Sequence, residues 1–273
     1  MNLGRIGIWM PHHFGTSAVA EMEALGYGTL WLGSSPSVEQ ARPFLEASST
    51  MTIATGILNV WRHQPADVAA ADAAVRREHP GRFLLGIGIG HPEATSDYTR
   101  PLKTMREFFD GLDAAPEPVP ADERIAAALG PKMLDLAAER SLGTHPYFTT
   151  ADHTRFARER IGAEKVVAPE VAVVVETDRD VSRRIARDYA KLYLGLSNYT
   201  KNLLNFGFTE QDLADGGSDR LIDAVIPQGS PEQIAEALQP HFEAGADHVA
   251  VQPLGHGKPP VEDYRALAAA LIR

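Results

Sequence analysis

The chain has 273 residues, of which 44% are apolar and 23% charged; its formal net charge is −10 and it contains no cysteine. This composition is typical of a globular protein, and the lack of cysteine excludes disulfides, thiolate metal sites and a cysteine nucleophile. No basic stretch is interleaved with aromatic residues, and no apolar run approaches the ~18 residues of a membrane span. We therefore expect a cytoplasmic protein that binds neither nucleic acid nor a membrane.

Short apolar stretches alternate along the chain with helical patterns. Eight of them predict strands: RIGIWM (5–10), GTLWLG (28–33), TMTIATGIL (50–58), RFLLGIGIG (82–90), RIAAAL (124–129), THPYFTT (144–150), EVAVVVE (170–176) and DHVAVQPL (247–254). The patterns between them predict helices at 17–28, 65–81, 130–143, 151–162 and 230–246. The last of these begins with Ser230 and Gln233, at the spacing of a capping box.

Eight strands that alternate with helices predict parallel βαβ units and an α/β fold. Eight is also the number that closes a (β/α)8 barrel, and the length is near the ~250 residues of such a fold. We predict one barrel domain over residues 1–273. An open doubly wound sheet is the alternative, but it is usually accompanied by a phosphate-binding fingerprint that this sequence lacks.

About 70 residues separate the seventh and eighth predicted strands, which is far more than a minimal connection. Within this stretch, residues 187–228 predict a helical insertion rich in Tyr, Phe and Leu. We expect these helices to cap the carboxyl end of the barrel, where barrel enzymes bind substrate. A dimer-forming or merely decorative insertion is the alternative interpretation.

The fourth predicted strand ends with glycine at every second position, namely Gly86, Gly88 and Gly90. Side chains alternate between the two faces of a strand, so these glycines share one face and leave it bare. Glycine is unfavourable in a strand, and the spacing does not match G-x-G-x-x-G. The pattern therefore indicates that something flat or bulky lies against this face.

The sequence resembles the luciferase-like superfamily of flavin and deazaflavin oxidoreductases, and within it the short actinobacterial-type members that use coenzyme F420. The stretches that carry the resemblance follow one another over the whole chain. They are TGILNVWRHQPADVAAADAAVRREHPGRFLLGIGIGHPE, AALGPKMLDLAAERSLGTHPYFTTADHTRFARE, NYTKNLLNFGFTEQDL and VIPQGSPEQIAEALQPHFEAGADHVAVQPL.

The resemblance implies a (β/α)8 barrel that binds the ring system of its cofactor at the carboxyl ends of the strands. Gly88 and Gly90 would then lie nearest to the cofactor. Related F420 enzymes carry a non-proline cis peptide bond at the end of the third strand, in a bulge that backs the deazaflavin ring. The matching position here is Gly56–Ile57, followed closely by Asn59.

The resemblance also implies that the F420 phosphodiester lies near Leu129 and Gly130. Gly130, Pro131 and Lys132 open a predicted helix, and the free N–H groups at a helix N-terminus suit a phosphate. Pro131 is equally typical of simple helix initiation. Lys132 would add positive charge, although a lysine in a first turn is usually solvated.

His91 follows the glycine strand, at a position where alcohol- and sugar-phosphate-oxidising relatives carry a glutamate. It is our candidate for proton transfer, and contact with the cofactor is the role that we favour. Alcohol-oxidising F420 relatives also carry an Asp-His pair after the second strand, where this chain has Ser34 and Ser35. Serine cannot replace a histidine base. The departure favours a reductase of an activated C=C or C=N bond.

Candidate substrate contacts lie near the ends of the first three strands: His12, Trp31, Ser34, Trp61 and His63. We predict no metal site, because His12 and its neighbour lack a third ligand at metal spacing. The alternatives to an F420 enzyme are an FMN-dependent monooxygenase and a non-catalytic cofactor- or ligand-binding barrel. We expect a small-molecule substrate and a homodimer.

Overall fold

The structure is a computed structural model and describes residues 1–95 and 98–272. Its parallel strands form a closed ring of eight. They are β1 (Ile6–Pro11), β2 (Thr29–Gly33), β3 (Thr52–Thr55, resuming at Leu58–Asn59), β4 (Phe83–Gly88), β5 (Arg124–Ala126), β6 (Gly143–Thr144), β7 (Val166–Val167, resuming at Glu170–Val175) and β8 (Val249–Pro253).

Each strand pairs with the next in chain order from β1 to β7. The ring closes through β7, whose first part pairs with β6 while its second part pairs with β8. Strand β8 in turn pairs with β1, with Ile6 opposite Val249. The predicted α/β barrel is therefore the observed architecture.

Helices surround this ring in the described residues. They are α1 (Val19–Ala24), α2 (Arg42–Glu46), α3 (Pro65–Glu78), α4 (Pro101–Asp113), α5 (Pro131–Arg140), α6 (Ala151–Ile161), α7 (Arg179–Leu194), α8 (Ser197–Asn205), α9 (Glu210–Leu213), α10 (Asp219–Val225), α11 (Pro231–Glu243) and α12 (Val261–Leu271). None of the described helices is both long enough and apolar enough to cross a bilayer.

Local sequence signals explain several helix starts. Ser230 caps α11 by accepting a hydrogen bond from the Gln233 N–H, and the Gln233 side chain accepts one from the Ser230 N–H. The predicted capping box is therefore confirmed. Asp178 caps α7 in a similar way, accepting hydrogen bonds from two N–H groups in the first turn. Such caps satisfy amide groups that have no partner within the helix.

Helices α7 to α10 lie between β7 and β8, in the region where the insertion was predicted. A short strand, Gln228–Gly229, pairs with the end of β7 before α11 begins. The assignment of residues 187–228 as one inserted unit stays a prediction, and its first residue falls inside α7.

The sixth predicted strand is much shorter than its apolar pattern indicated. Only Gly143–Thr144 pair as a strand. His145 and Pro146 each keep one backbone hydrogen bond to a neighbouring strand, and residues 147–150 lie outside the sheet. Phe148 adopts a left-handed conformation with φ of 53°, which is incompatible with an extended strand. The aromatic residues of this stretch therefore turn across the end of the barrel.

Candidate functional site

The bare face of β4 looks into the barrel, and a bulge in the neighbouring strand β3 fills the space beside it. A β-carbon on Gly86 would lie 1.9 Å from the Thr55 carbonyl oxygen, and one on Gly88 would lie 2.7 Å from Ile57 Cδ1. The Thr55 hydroxyl also donates to the Gly86 carbonyl oxygen at 2.7 Å. The Gly56–Ile57 peptide bond within the bulge is cis, as predicted.

The bulge presents Ile57 at the carboxyl end of the ring. Its side chain is half-buried and lies over Gly88, next to Ala127 at the end of β5. We call Ile57, Gly88 and Ala127 the Ile57 shelf. Gly88 is buried beneath Ile57, so a molecule at the mouth of the barrel would meet Ile57 first. Gly86 and Gly88 therefore make room for the bulge of β3.

Side-chain hydrogen bonds tie the ends of β3 and β4 together. Asn59 Oδ1 accepts from the Trp61 backbone N–H at 3.0 Å, and Trp61 Nε1 donates to the Ile89 carbonyl oxygen at 2.6 Å. A β-carbon on Gly90 would lie 3.0 Å from Asn59 Nδ2, and Gly90 itself has a φ of 65°. Asn59 and Trp61 thus hold the edge of the site in place.

His91 lies just beyond this edge and contacts the insertion. Its Nδ1 is 3.4 Å from Asn198 Nδ2, and its ring centroid is 4.8 Å from that of Tyr199. Burial lowers the pKa of His91 below its usual 6.5, although the carboxylate of Glu93 opposes the shift. The imidazole is therefore neutral near neutral pH, which suits a hydrogen-bonding partner better than a charged acid.

Two helix N-termini lie side by side after β5 and β6. Helix α5 starts after Gly130, which has no neighbouring atom within 4 Å of a β-carbon built on it. Helix α6 starts after Thr150, and the buried hydroxyls of Thr149 and Thr150 have no hydrogen-bond partner in the described residues. His153 Nε2 lies 3.0 Å from the Leu129 carbonyl oxygen and joins the two turns.

This arrangement can bind an anion, because both helix dipoles and their free N–H groups point to the same end of the barrel. Pro131 and Lys132 are exposed in the first turn of α5, which is compatible both with an anion site and with a solvated lysine. Thr149 and Thr150 are not among the site residues predicted from the sequence, because THPYFTT predicts a strand. Paired hydroxyls directly before a helical pattern were the available signal.

The predicted substrate residues do not all lie together in the structure. His12 Nδ1 lies 2.8 Å from the Gly33 carbonyl oxygen at the mouth, where Ser34 is exposed with a φ of 66°. His63 instead lines a surface groove beside α3, together with Glu39 and Asp67. The structure therefore brings His12 and Ser34 to the barrel mouth, and it places His63 in the outer helical layer.

The prediction that Trp31 lines a substrate pocket is not supported by the structure. Its side chain is fully buried inside the barrel and stacks on His145, with ring centroids 3.9 Å apart. Trp31 Nε1 donates to His248 Nε2 at 3.0 Å. Trp31 lies mid-strand and faces inward, below the mouth, so it belongs to the barrel core.

An aromatic cluster that the sequence reasoning did not identify lies beneath α7 and α8. The Tyr147 hydroxyl is 2.5 Å from that of Tyr189 and 3.0 Å from that of Tyr193, and it donates to Gln252 Oε1 at 2.9 Å. Tyr189 and Tyr193 are four residues apart, so they share one face of α7. That spacing was the signal available in the sequence.

Residues 13–115 match the model of the luciferase-like monooxygenase family. No curated protein sequence matches the chain. Among solved structures, an F420-dependent secondary alcohol dehydrogenase in complex with an F420-acetone adduct is similar with a TM-score of 0.76, at 16% identity and over 98% of both chains. The coenzyme F420 dependent tetrahydromethanopterin reductase from Methanopyrus kandleri is similar with a TM-score of 0.70, at 16% identity and over 96% of both chains.

A third solved structure is the oxygenating constituent of 3,6-diketocamphane monooxygenase from Pseudomonas putida, in complex with FMN. It has a TM-score of 0.72 at 14% identity, over 97% of this chain and 95% of that one. At these identities the likeness is one of fold. The chain thus has a barrel fold shared with F420-dependent and FMN-binding proteins, and its residues 13–115 carry the sequence pattern of the luciferase-like monooxygenase superfamily.

Proposed function

We propose that this chain is an F420-dependent oxidoreductase that acts on a small organic substrate, and that reduction of an activated double bond is its favoured direction. The observation that carries the proposal is the Ile57 shelf, which adjoins the paired N-termini of α5 and α6. An apolar surface beside two helix N-termini fits a cofactor that joins a tricyclic ring to a phosphodiester. The F420-dependent structures of the same fold support this proposal.

The residues present fit such a cofactor. Ile57 and Ala127 offer half-buried apolar surface for the ring. The open approach at Gly130 suits the phosphodiester, and the exposed Lys132 adds positive charge at the same end. When bound in its reduced form, F420 supplies a hydride.

Proton transfer depends on the side chains of the protein itself. His91 is our candidate to relay a proton from solvent, taking it up and passing it on in turn at its imidazole, and Tyr199 packs against its ring. The exposed Ser34 offers no general base of the kind that oxidation of an alcohol requires. Reduction needs chiefly orientation and a proton donor, so this set of groups favours the reductive direction.

The experiment that tests the proposal is a fluorescence titration of the purified chain with F420 and, separately, with FMN. We expect micromolar binding of F420 and FMN binding at least ~10-fold weaker. Lys132→Ala should weaken F420 binding several-fold, because it removes a positive charge beside the proposed position of the phosphodiester. Lys103→Ala is the matched control, since Lys103 is exposed on α4 and pairs with Glu107.

Tighter binding of FMN would contradict the proposal and favour a monooxygenase, for which oxygen consumption is the assay. If neither cofactor bound, the ligand-binding barrel would become the better account of the fold.

A further inference from the structure

The first turn of helix α8 is held against the segment that follows β4. The Ser197 backbone N–H at the start of α8 donates to a side-chain oxygen of Glu93 at 2.9 Å. The first N–H groups of a helix have no partner within the helix, and the residue before this one is Leu196, which offers no capping side chain. Glu93 therefore caps α8 from a distant part of the chain, and it fixes where the side chains of the first turn lie.

The next residue of that turn, Asn198, contacts the residues that follow β4. Its Nδ2 donates to the Gly90 carbonyl oxygen at 3.3 Å and lies 3.4 Å from His91 Nδ1. A carbonyl oxygen can only accept, so Gly90 determines which end of the amide points toward His91. The Nδ1 atom can accept a hydrogen bond from this amide only while it carries no proton.

This contact determines where the proton of neutral His91 lies. A neutral imidazole carries one N–H proton, and the hydrogen bond made at one ring nitrogen decides which nitrogen holds it. With Nδ1 as an acceptor, the proton lies on Nε2. Burial lowers the pKa of His91, so the neutral form is the one present near neutral pH, and its Nε2 is a hydrogen-bond donor.

The other polar and charged groups around His91 are compatible with this tautomer. Tyr199 packs its ring against the imidazole with centroids 4.8 Å apart, a contact that both tautomers allow. The Tyr98 hydroxyl lies 3.5 Å from Asn198 Nδ2 and can accept from the same amide. The charge on Glu93 raises the pKa of His91, but burial has the larger effect.

We propose that Asn198 is a positioning residue that keeps His91 in the neutral tautomer with its proton on Nε2, so that His91 meets a ligand as a hydrogen-bond donor. A ligand group at Nε2 is then an acceptor, such as a carbonyl oxygen. A proton from solvent enters at Nδ1, which must first release the Asn198 amide, and the proton passed on leaves from Nε2. The role toward cofactor or substrate rests on the proposed function, whereas the tautomer does not.

The test is NMR detection of the imidazole nitrogens in the cofactor-free chain, with His91→Phe used to assign the signals of His91 among the ten histidines. We expect an unprotonated Nδ1 and a protonated Nε2 near pH 7. Asn198→Asp replaces the amide with a carboxylate, which accepts instead of donating. The proton of the neutral ring should then move to Nδ1, and the pKa of His91 should rise by about one pH unit.

Asn205→Asp is the matched control, because Asn205 is exposed at the other end of α8 and the substitution adds the same charge. It should leave the tautomer and the pKa of His91 unchanged. A protonated Nδ1 in the parent chain would overturn the proposal, and that measurement needs no variant to fold. An equal rise in the pKa of His91 in Asn198→Asp and Asn205→Asp would overturn it as well.

The F420 titration separates this proposal from the proposed function. If the chain does not bind F420 but His91 carries its proton on Nε2, the role of Asn198 stands and its link to F420 chemistry is lost. If F420 binds and His91 carries its proton on Nδ1, the proposed function stands and the assignment of Asn198 is wrong.

Discussion

The substitution Gly86→Ala tests whether β4 has glycine at alternate positions because the bulge of β3 packs against it. The added β-carbon would lie 1.9 Å from the Thr55 carbonyl oxygen, against an ordinary separation of ~3.5 Å between non-bonded atoms. Backbone must therefore move by roughly 1.5 Å, which also disturbs the hydrogen bonds between the Thr55 hydroxyl and Gly86. Overpacking costs ~1–3 kcal/mol and each lost hydrogen bond ~0.5–1.5 kcal/mol, so we expect destabilisation of about 3 kcal/mol.

Alanine at Gly88 should cost less, about 1 kcal/mol, because the atom it meets is the end of the Ile57 side chain rather than backbone. Ile57→Ala removes that atom, so the two substitutions together should cost less than the sum of their separate effects. The assay is urea unfolding of each variant. Gly257→Ala is the control, since its site is open and exposed. The reasoning is refuted if Gly86→Ala is as stable as Gly257→Ala.

Three further predictions concern stability. Burial lowers the pKa of His145 to about 3 and that of His248 to about 4, so their neutral forms stabilise the fold above pH 6.5, the value in the unfolded chain. The free energy of unfolding should fall as the pH drops from 6.5 toward 4, by up to ~1.4 kcal/mol per pH unit for each histidine. A free energy of unfolding in urea that does not change over this pH range would contradict the prediction. Trp61→Phe should cost about 1 kcal/mol in the same assay, because it leaves the Ile89 carbonyl oxygen without its donor; an unchanged midpoint would show that this bond is not needed. Burial favours a higher pKa for Glu23, but several backbone N–H donors outweigh it and lower the pKa to about 2. Glu23→Gln should therefore destabilise the fold near neutral pH, by an amount that shrinks as the pH falls from about 4.5 toward 2. A difference in stability that does not depend on pH would contradict this assignment.

The sequence was sufficient to predict the barrel, because strand and helix periodicities are local properties. Each of the eight predicted strands overlaps an observed strand, although the fifth and sixth are shorter than predicted, and Gly56–Ile57 has the predicted conformation. Helices α4 and α12 were not predicted, although the amphipathic pattern of residues 101–113 was available in the sequence. The sixth strand was overestimated because β-branched and aromatic residues also suit a buried turn.

The site was predicted less completely, since it depends on which side chains the closed ring brings together. Glycine alternation indicated a filled face, but only the structure shows that Thr55 and Ile57 fill it. Trp31 was assigned to a pocket because its depth along β2 is not visible in the sequence.

The most direct measurement of the central claim is a crystal structure of the chain with F420 bound. We predict that the deazaflavin ring lies against Ile57 and that the phosphodiester lies between Gly130 and Thr150. A cofactor bound elsewhere, with Ile57 contacting only protein, would contradict the account.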